Sequence, residues 1–280
     1  MAVGKVVALV DGSIYSTSVC EHSAWIAKRY DVPVELVHVI GRREQAPRDL
    51  LEESDRGELL EKLREVDGKR SELMEAMGEA ILAEAAGIAT GAGAPEVHRR
   101  LRHGDLLDAL HELEVDARCL VVGKRGAAAD FAKSHLGSNI ERVVRASRVN
   151  VMVANRSFAP IKRFLVAYDG GRSATKALEL ISRSPLYDHL QLHILTVSGN
   201  KAEAEKRLEQ AEDALNWSGK VVFDHVDGEP EKAIADYVED HCIDLLVMGA
   251  YGHSRVRNLL VGSTTSQMML SCKVPVLVVR

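Results

Sequence analysis

The sequence predicts an α/β protein built from two tandem, doubly wound parallel sheets. Short apolar runs alternate with helix-favouring segments along the chain, which is typical of parallel strands connected by helices. The pattern occurs twice with matching residues, and repeats of this length indicate a duplicated domain. At 280 residues, with 46% hydrophobic and only 4% aromatic content, each half is long enough to bury an aliphatic core.

Five strands are predicted in the first half, each an apolar or β-branched run beside turn-forming residues. They cover residues 5–10, 33–40, 97–101, 119–122 and 149–154, with helices at residues 16–30, 105–113 and 137–146. Ser13 and Ser16 are candidate N-caps of the first helix. The alternation predicts a first domain at residues 1–155.

A charged, helix-favouring insertion distinguishes the first half from the second. There are 112 positions from Asp11 to Gly123 but 80 from Asp169 to Gly249, so about 32 extra residues fall within about residues 42–95. Gly68 is predicted to divide the segment into two helices, or into a helix and a preceding irregular arm. The charged run at residues 52–70 is most simply a solvated helix face, with a partner-binding arm as the alternative.

The pattern restarts after a linker at residues 155–162. Strands are predicted at residues 163–168, 190–197, 220–226, 245–248 and 274–279, with helices at residues 173–182, 202–217, 230–240 and 265–271. The second domain is therefore expected at residues 162–280.

A glycine-rich stretch follows the fourth strand of each half. The second half has Gly249, Gly252, Gly262, Ser263 and Thr264, and the first has Gly123, Gly126, Gly137, Ser138 and Asn139. Glycine allows the backbone to approach a ligand closely, and exposed N–H groups at a helix start suit phosphate oxygens. The stretch predicts a phosphate site, although glycine also occurs at such turns for steric reasons alone.

An aspartate follows the first strand of each half, Asp11 in one and Asp169 in the other. In a doubly wound sheet, ligands bind at the carboxyl ends of the strands where the strand order reverses. If the first and fourth strands are neighbours there, the carboxylate would hydrogen-bond a nucleoside and the glycine loop would hold its phosphates.

Composition and motifs exclude several other classes of function. A net charge of −5 argues against a nucleic-acid partner. No apolar run approaches the ~20 residues of a membrane helix, and no signal peptide is recognised. The four cysteines form no CxxC pair, so we expect reduced thiols and a cytoplasmic location without a membrane partner. The P-loop, G-x-S-x-G and HExxH motifs are absent from the sequence, so no catalytic or metal-binding residue is assigned.

Two strand histidines, His38 and His193, are predicted to occupy matching positions in the second strand of each half. Catalysis needs acid–base or metal partners that the spacing does not supply. Local hydrogen bonding is therefore the favoured interpretation of both histidines.

The composite pattern, a strand followed by Asp-Gly and then G-x2-G-x9-G-[ST] after the fourth strand, resembles the universal stress protein family. Both halves match, so the chain resembles a tandem universal stress protein. The resemblance implies a five-stranded sheet of order 3-2-1-4-5 in each half, with an adenine nucleotide alpha hydrolase-like fold. It also implies binding of ATP, with or without Mg²⁺, in the stress response.

The resemblance further implies a role for each site residue. In the second half Asp169 would contact adenosine, the Val197 backbone would line the adenine pocket, and Met248 and Gly249 would lie under the ribose and phosphates. The phosphates would be held by Gly252, Gly262, Ser263 and Thr264. In the first half the same roles fall to Asp11, Val39, Val122, Gly123, Gly126, Gly137, Ser138 and Asn139.

The first half departs from the family pattern. It has one extra residue between Gly126 and Gly137, and Asn139 replaces the second hydroxyl. Lys124 and Arg125 in its loop could pair with phosphate or face water. We therefore expect nucleotide in the second half and leave the first open between a nucleotide, another ligand and none.

Family members also pair through their fifth strands, so residues 151–154 and 276–279 are expected to meet within one chain, and a further homodimer stays open.

The predicted function is a nucleotide-binding regulatory module. A slow ATPase using Asp169 and Mg²⁺, or a scaffold, are the alternatives.

Overall fold

The computed structural model describes residues 4–41, 56–125, 138–250 and 263–280. The strands of the first half are β1 Lys5–Leu9, β2 Val34–Ile40, β3 Val97–His103, β4 Ala117–Gly123 and β5 Asn150–Ala154. Its helices are α1 Ser16–Tyr30, α2 Arg56–Gly91, α3 Leu106–Leu113 and α4 Ser138–Ala146.

The second half repeats this sequence of elements after a short linker. Its strands are β6 Arg163–Ala167, β7 Gln191–Val197, β8 Val221–Val226, β9 Leu245–Gly249 and β10 Val276–Val279. Its helices are α5 Arg172–Ile181, α6 Lys201–Ala214, α7 Pro230–Asp240 and α8 Ser263–Ser271, with a 3-10 turn at Pro185–Tyr187.

All ten strands belong to one sheet, in the order β3-β2-β1-β4-β5-β10-β9-β6-β7-β8. Each half pairs its own strands in parallel and has the order 3-2-1-4-5 when its strands are counted from one. The predicted fold class is therefore confirmed. The order reverses beside β1 and β6, which places the ends of the first and fourth strands of each half side by side.

The two halves join where β5 runs antiparallel to β10. Met152 lies opposite Leu277, flanked by the pairs Val153–Val276 and Val151–Val278. Met152 and Leu277 occupy the same position in their respective halves, so the pairing has the form of an approximate twofold axis. Both fifth strands consequently lie inside the sheet, and neither presents an open edge.

Apolar layers cover both faces of the sheet and extend across both halves. In β1, Val6 and Ala8 face the layer that includes α1, whereas Val7 faces the layer that includes α4. All three side chains are fully buried. This alternation follows from the two-residue period of a strand, and it explains why the strands are almost continuously apolar.

Helix α2 is a single helix of 36 residues, so the prediction that Gly68 divides it was wrong. An added Cβ at Gly68 would have nothing within 4 Å, and one exposed glycine costs a helix only about 1 kcal/mol relative to alanine. The helix-favouring residues on both sides outweigh that cost. The part of the insertion at residues 42–55 lies outside the described residues.

The two ends of α2 have different surroundings. Leu82 and Ala89 are buried against the sheet, whereas Val66, Leu73 and Met77 are 60%, 62% and 51% exposed. Every described side chain from 64 to 73 is exposed, as predicted for a solvated helix face.

Among the described residues, no helix is both long and apolar enough to cross a membrane.

Candidate functional site

The candidate site lies at the carboxyl ends of three adjacent strands in the second half. Strand β6 is hydrogen-bonded to β7 on one side and to β9 on the other, with Ala167 beside Leu195 and Met248. Asp169 follows β6, Val197 ends β7 and Gly249 ends β9. The structure thus brings Asp169, Val197, Met248 and Gly249 to one edge of the sheet, which we call the second crevice.

Asp169 shapes the turn that leads from β6 into α5. Its Oδ1 accepts a hydrogen bond of 2.8 Å from the N–H of Gly171, which is the N-cap of α5. Gly170 between them has φ +76°, a conformation that a residue with a side chain adopts only with strain. The aspartate is therefore fixed at the N-terminus of α5 by its own turn.

Gly249 is needed for close packing of a helix on a strand. A Cβ added there would lie 2.7 Å from Cβ of Ser173 and 3.1 Å from the nitrogen of Ala174, both in the first turn of α5. No side chain fits in that space. The steric explanation of this glycine therefore holds, and its consequence is that α5 begins directly against the end of β9.

Helix α8 reaches the same glycine. The hydroxyl of Thr265, which is buried, donates a hydrogen bond of 3.2 Å to the carbonyl of Gly249. Ser263 and Thr264 belong to the same first turn of α8, and the predicted Gly252 and Gly262 lie outside the described residues. Two helix N-termini thus converge on one strand end, where their dipoles favour an anion.

Thr265 was not among the predicted site residues. It is the third hydroxyl residue in the run Ser263-Thr264-Thr265, and its role was not assigned because only the first two belong to the recognised motif. A hydroxyl in the first turn of a helix that begins at a strand end can bond to that strand and hold the helix in place. The run of three hydroxyl residues was the signal in the sequence that could have identified Thr265.

The first half has an equivalent site, which we call the first crevice. Asp11 accepts hydrogen bonds from the N–H of Ser13 at 3.0 Å and from the hydroxyl of Ser16 at 3.3 Å, and Gly12 has φ +74°. Val39 is the second-last residue of β2, and Val122 and Gly123 are the last two residues of β4. A Cβ on Gly123 would lie 2.7 Å from Cβ of Tyr15, so this glycine has the same steric role as Gly249.

The helix start of the first crevice differs in chemistry. Ser138 and Asn139 open α4, while the predicted Gly126 and Gly137 lie outside the described residues. Ile140 stands where the second half has Thr265, and it is buried. In this half an apolar contact therefore replaces the hydroxyl that fastens α8.

Lys124 is half-buried, and its side chain reaches the other half of the chain. Its Nζ donates a hydrogen bond of 2.6 Å to the carbonyl of Cys272, just beyond the last residue of α8 in the other half. Burial lowers the pKa of the Lys124 ammonium. Neither of the alternatives considered from the sequence included this bond between the two halves.

The predicted match between His38 and His193 was also wrong. Hydrogen bonds from Val10 to Val37 and from Tyr168 to Leu195 align the two sheets, and this alignment pairs His38 with Thr196 and His193 with Glu35. Their shared residue type suggested that the two histidines match. The register of β2 on β1 and of β7 on β6 shows instead that they lie at different positions of the second strand.

Both histidines make local hydrogen bonds, as favoured from the sequence. His38 Nδ1 donates to the carbonyl of Val10 at 2.8 Å. His193 lies 3.1 Å from the hydroxyl of Tyr237, and burial followed by the nearby His241 lowers its pKa.

Different side chains cover the two aspartate turns. A Cβ on Gly12 would lie 3.0 Å from Cδ1 of Ile81 in α2, whereas a Cβ on Gly170 would lie 3.4 Å from Cγ of Arg207 in α6. The second crevice is thus bordered by a guanidinium-bearing side chain, and the first by an aliphatic one.

Thiol and metal chemistry receive no support from the described residues. Burial raises the pKa of Cys20 and of Cys119 to about 12, so neither is a thiolate near neutral pH. Within the described ranges, no group of three or more His, Cys, Asp or Glu side chains could hold a metal ion.

Comparison with known proteins agrees with this geometry. The model of the universal stress protein family matches residues 3–155 and 198–280. Universal stress protein Slr1230 of Synechocystis sp. is 35% identical over 279 residues, which cover 96% of this chain and 97% of that protein.

Solved structures give the same result. A universal stress protein from Archaeoglobus fulgidus DSM 4304 has a TM-score of 0.71 and 25% identity, covering 99% of this chain and 98% of its own. Protein PA1789 from Pseudomonas aeruginosa PAO1 has a TM-score of 0.62 at 13% identity, over 99% of this chain and 92% of its own, and so shares the fold. With the family pattern present in both halves, this chain belongs to the universal stress protein family as a tandem member with the adenine nucleotide alpha hydrolase-like fold.

Proposed function

We propose that the chain is a regulatory protein that binds an adenine nucleotide, ATP, in its second crevice. One observation carries the proposal: the first turns of α5 and α8 both contact Gly249, at the strand end next to the one that leads to Asp169. Two convergent helix N-termini offer N–H donors and positive dipole ends to the same volume. A phosphate chain is the ligand that such a volume suits best.

The remaining predicted residues fit the rest of a nucleotide. The carboxylate of Asp169 would accept a hydrogen bond from a ribose hydroxyl, and the backbone at Val197 would meet the adenine edge. Ser263 and Thr264 would add hydroxyl donors for phosphate oxygens. Bound Mg²⁺ would neutralise part of the phosphate charge.

Regulation is favoured over turnover by the chemistry of the crevice. His193, on the second strand of this half, is held by Tyr237 inside the core. An activated nucleophile is not found among the described residues that line the second crevice. Family membership supports a role in the stress response. We further propose that the protein is cytoplasmic and forms a homodimer. We also retain the domain limits at residues 1–155 and 162–280.

The first experiment identifies the nucleotide directly. Protein purified without added ligand is denatured, and the released small molecules are identified by mass. Isothermal titration of nucleotide-free protein with ATP and Mg²⁺ then gives the affinity. We expect Asp169→Asn to weaken ATP binding at least tenfold, because a charged hydrogen-bond acceptor is lost.

Asp236→Asn is the matched control, since it makes the same substitution on an exposed position of α7. It should bind ATP as the wild type does. A wild-type protein that releases no nucleotide and shows no thermal shift with ATP would contradict the proposal and favour a scaffold. Turnover of ATP well above that of a Gly262→Asp variant would instead identify a slow ATPase.

A further inference from the structure

Helix α8 is held at both of its ends, and the residues that hold them belong to different halves of the chain. At its start, Thr265 donates to the carbonyl of Gly249 in the second crevice at 3.2 Å. At its end, Lys124 of the first half donates to the carbonyl of Cys272 at 2.6 Å. The helix therefore spans the distance between the second crevice and the first half.

Lys124 is itself part of the first crevice. It directly follows Gly123, and its backbone N–H donates a hydrogen bond of 3.0 Å to the carbonyl of Ala154, which holds it at the end of β4. A cation near the last carbonyls of a helix also interacts favourably with the helix dipole. The side chain thus joins the floor of the first crevice to the end of α8.

A second bond reinforces this connection. The side-chain amide of Asn155, just after β5, donates to the carbonyl of Lys273 at 3.2 Å. Two consecutive carbonyls beyond α8 are therefore held by side chains of residues at the ends of β4 and β5.

The reverse connection does not follow the same design. Ala250 occupies the position that corresponds to Lys124, and an alanine side chain cannot reach the other half. The end of α4 is held within its own half by Glu114, whose Oε1 accepts from the hydroxyl of Ser147 and, at 2.9 Å, from the N–H of Arg148. The bond from Lys124 therefore has no counterpart at position 250, although Arg280, just after β10, donates its N–H to Oδ1 of Asn150 in the first half at 3.1 Å.

We propose that Lys124 couples the two crevices through α8, so that the state of the first crevice regulates nucleotide affinity in the second. A ligand that meets the backbone at Gly123 acts next to Lys124, and any shift of that residue changes how firmly the end of α8 is held. The first turn of the same helix forms one wall of the phosphate site. The inference rests on the proposed function for its nucleotide, but the link itself is a property of the protein.

Coupling of this kind is an equilibrium quantity with a defined size. Ligands bound at two coupled sites alter each other's affinity by the same factor, and factors of 5 to 150 are typical. The bond from Lys124 is charge-assisted and partly buried, and charge-assisted hydrogen bonds contribute more than neutral ones.

The first test needs no nucleotide. Amide hydrogen exchange of residues 263–271 is measured in the wild type and in Lys124→Met, which keeps the aliphatic stem but removes the ammonium. We expect exchange in α8 to be about fivefold faster in the variant, because local opening depends on such tertiary bonds.

Two further variants show whether faster exchange in α8 results from loss of these bonds or from loss of any nearby charge. Lys273→Met removes an exposed ammonium next to the same helix end, where it pairs with Glu239 at 2.7 Å, and should leave exchange in α8 unchanged. Asn155→Ala removes the second bond without removing a charge and should accelerate exchange to a smaller extent. Unchanged exchange in both Lys124→Met and Asn155→Ala would overturn the link.

The second test measures regulation by titrating each protein with ATP. We expect Lys124→Met to bind ATP in the second crevice about fivefold more weakly than Lys273→Met does. If exchange in α8 changes while ATP affinity does not, α8 is fastened but does not regulate, and the coupling is refuted. If the wild type binds no ATP, the proposed function fails, whereas the exchange result still decides whether Lys124 links the halves.

Discussion

His38 and Thr196 hold equivalent backbone carbonyls in the two halves, although their side chains share no chemistry beyond a donor. His38 donates to the carbonyl of Val10 at 2.8 Å, and Thr196 donates to that of Tyr168 at 3.0 Å. Each carbonyl belongs to the residue just before the crevice aspartate. The second strand thus fixes the backbone from which Asp11 or Asp169 projects.

This relationship predicts a loss of stability when the Thr196 hydroxyl is removed. Thr196→Val keeps the shape of the side chain but leaves the Tyr168 carbonyl without this donor at a fully buried position. We expect the free energy of unfolding in urea to fall by about 1–3 kcal/mol. Thr196→Ser retains the hydroxyl and should lose less than half as much, so equal losses in the two variants would refute the role of the hydrogen bond.

A substitution of Gly249 should test the close packing of α5 on β9. In Gly249→Ala the new methyl group would meet Ser173 at 2.7 Å, and we expect a loss of about 1–3 kcal/mol in unfolding free energy together with weaker ATP binding. The control is Gly87→Ala in α2, where nothing lies within 4 Å of the added Cβ. Because alanine is the better helix former, that variant should be unchanged or more stable by up to about 1 kcal/mol.

The sequence was sufficient to predict the strands and the position of the crevice. Parallel strands buried on both faces leave apolar runs, and these runs repeat in the two halves. Once the order 3-2-1-4-5 is implied, the ends of the first and fourth strands must be neighbours. The proximity of Asp169 to Gly249 therefore followed from topology, without knowledge of any side-chain contact.

Contacts that depend on the exact placement of helices could not be predicted in this way. The bond from Lys124 to Cys272 joins residues 148 positions apart, and it exists only because the two halves share one sheet. The continuity of α2 through Gly68 depended on a small local free-energy difference, which the presence of one glycine does not decide. The match of His38 with Thr196 needed the strand register, which residue identity alone did not supply.

The difference between Thr265 and Ile140 predicts how exchanging these two residue types will change ATP affinity. Thr265→Ile gives α8 the apolar anchor of the first half and removes the bond to Gly249. We expect ATP affinity in the second crevice to fall about tenfold, because the first turn of α8 is no longer fixed by a hydrogen bond. Calorimetric titration measures the change.

Ile140→Thr makes the opposite substitution in the first half and serves as the matched control. It alters the same position of the fold but leaves in place both bonds that hold α8, from Thr265 and from Lys124, so ATP affinity in the second crevice should stay within about twofold of the wild type. An equal loss of affinity in both variants would indicate a general loss of stability.

Stability should also depend on pH through His22, which lies in α1 against Phe158 with its ring centroid 5.0 Å away. The side chain is 1% exposed, and Nδ1 donates to the Ser18 carbonyl at 2.7 Å. Burial lowers the pKa of His22 from 6.5 to about 4, so the folded protein holds this ring neutral. Between pH 6.5 and 4 the unfolded chain binds the extra proton, and the free energy of unfolding must therefore rise with pH.

The stability that His22 contributes is present above pH 6.5 and is lost as the pH falls towards 4. At about 1.4 kcal/mol for each unit of pKa, the loss is on the order of 3 kcal/mol. Urea unfolding at a series of pH values should show a smaller slope for His22→Asn than for the wild type, whereas His111→Asn, at an exposed position of α3, should keep the wild-type slope. An unchanged slope in His22→Asn would mean that another group controls acid stability, because no proton can bind to the asparagine amide in this range.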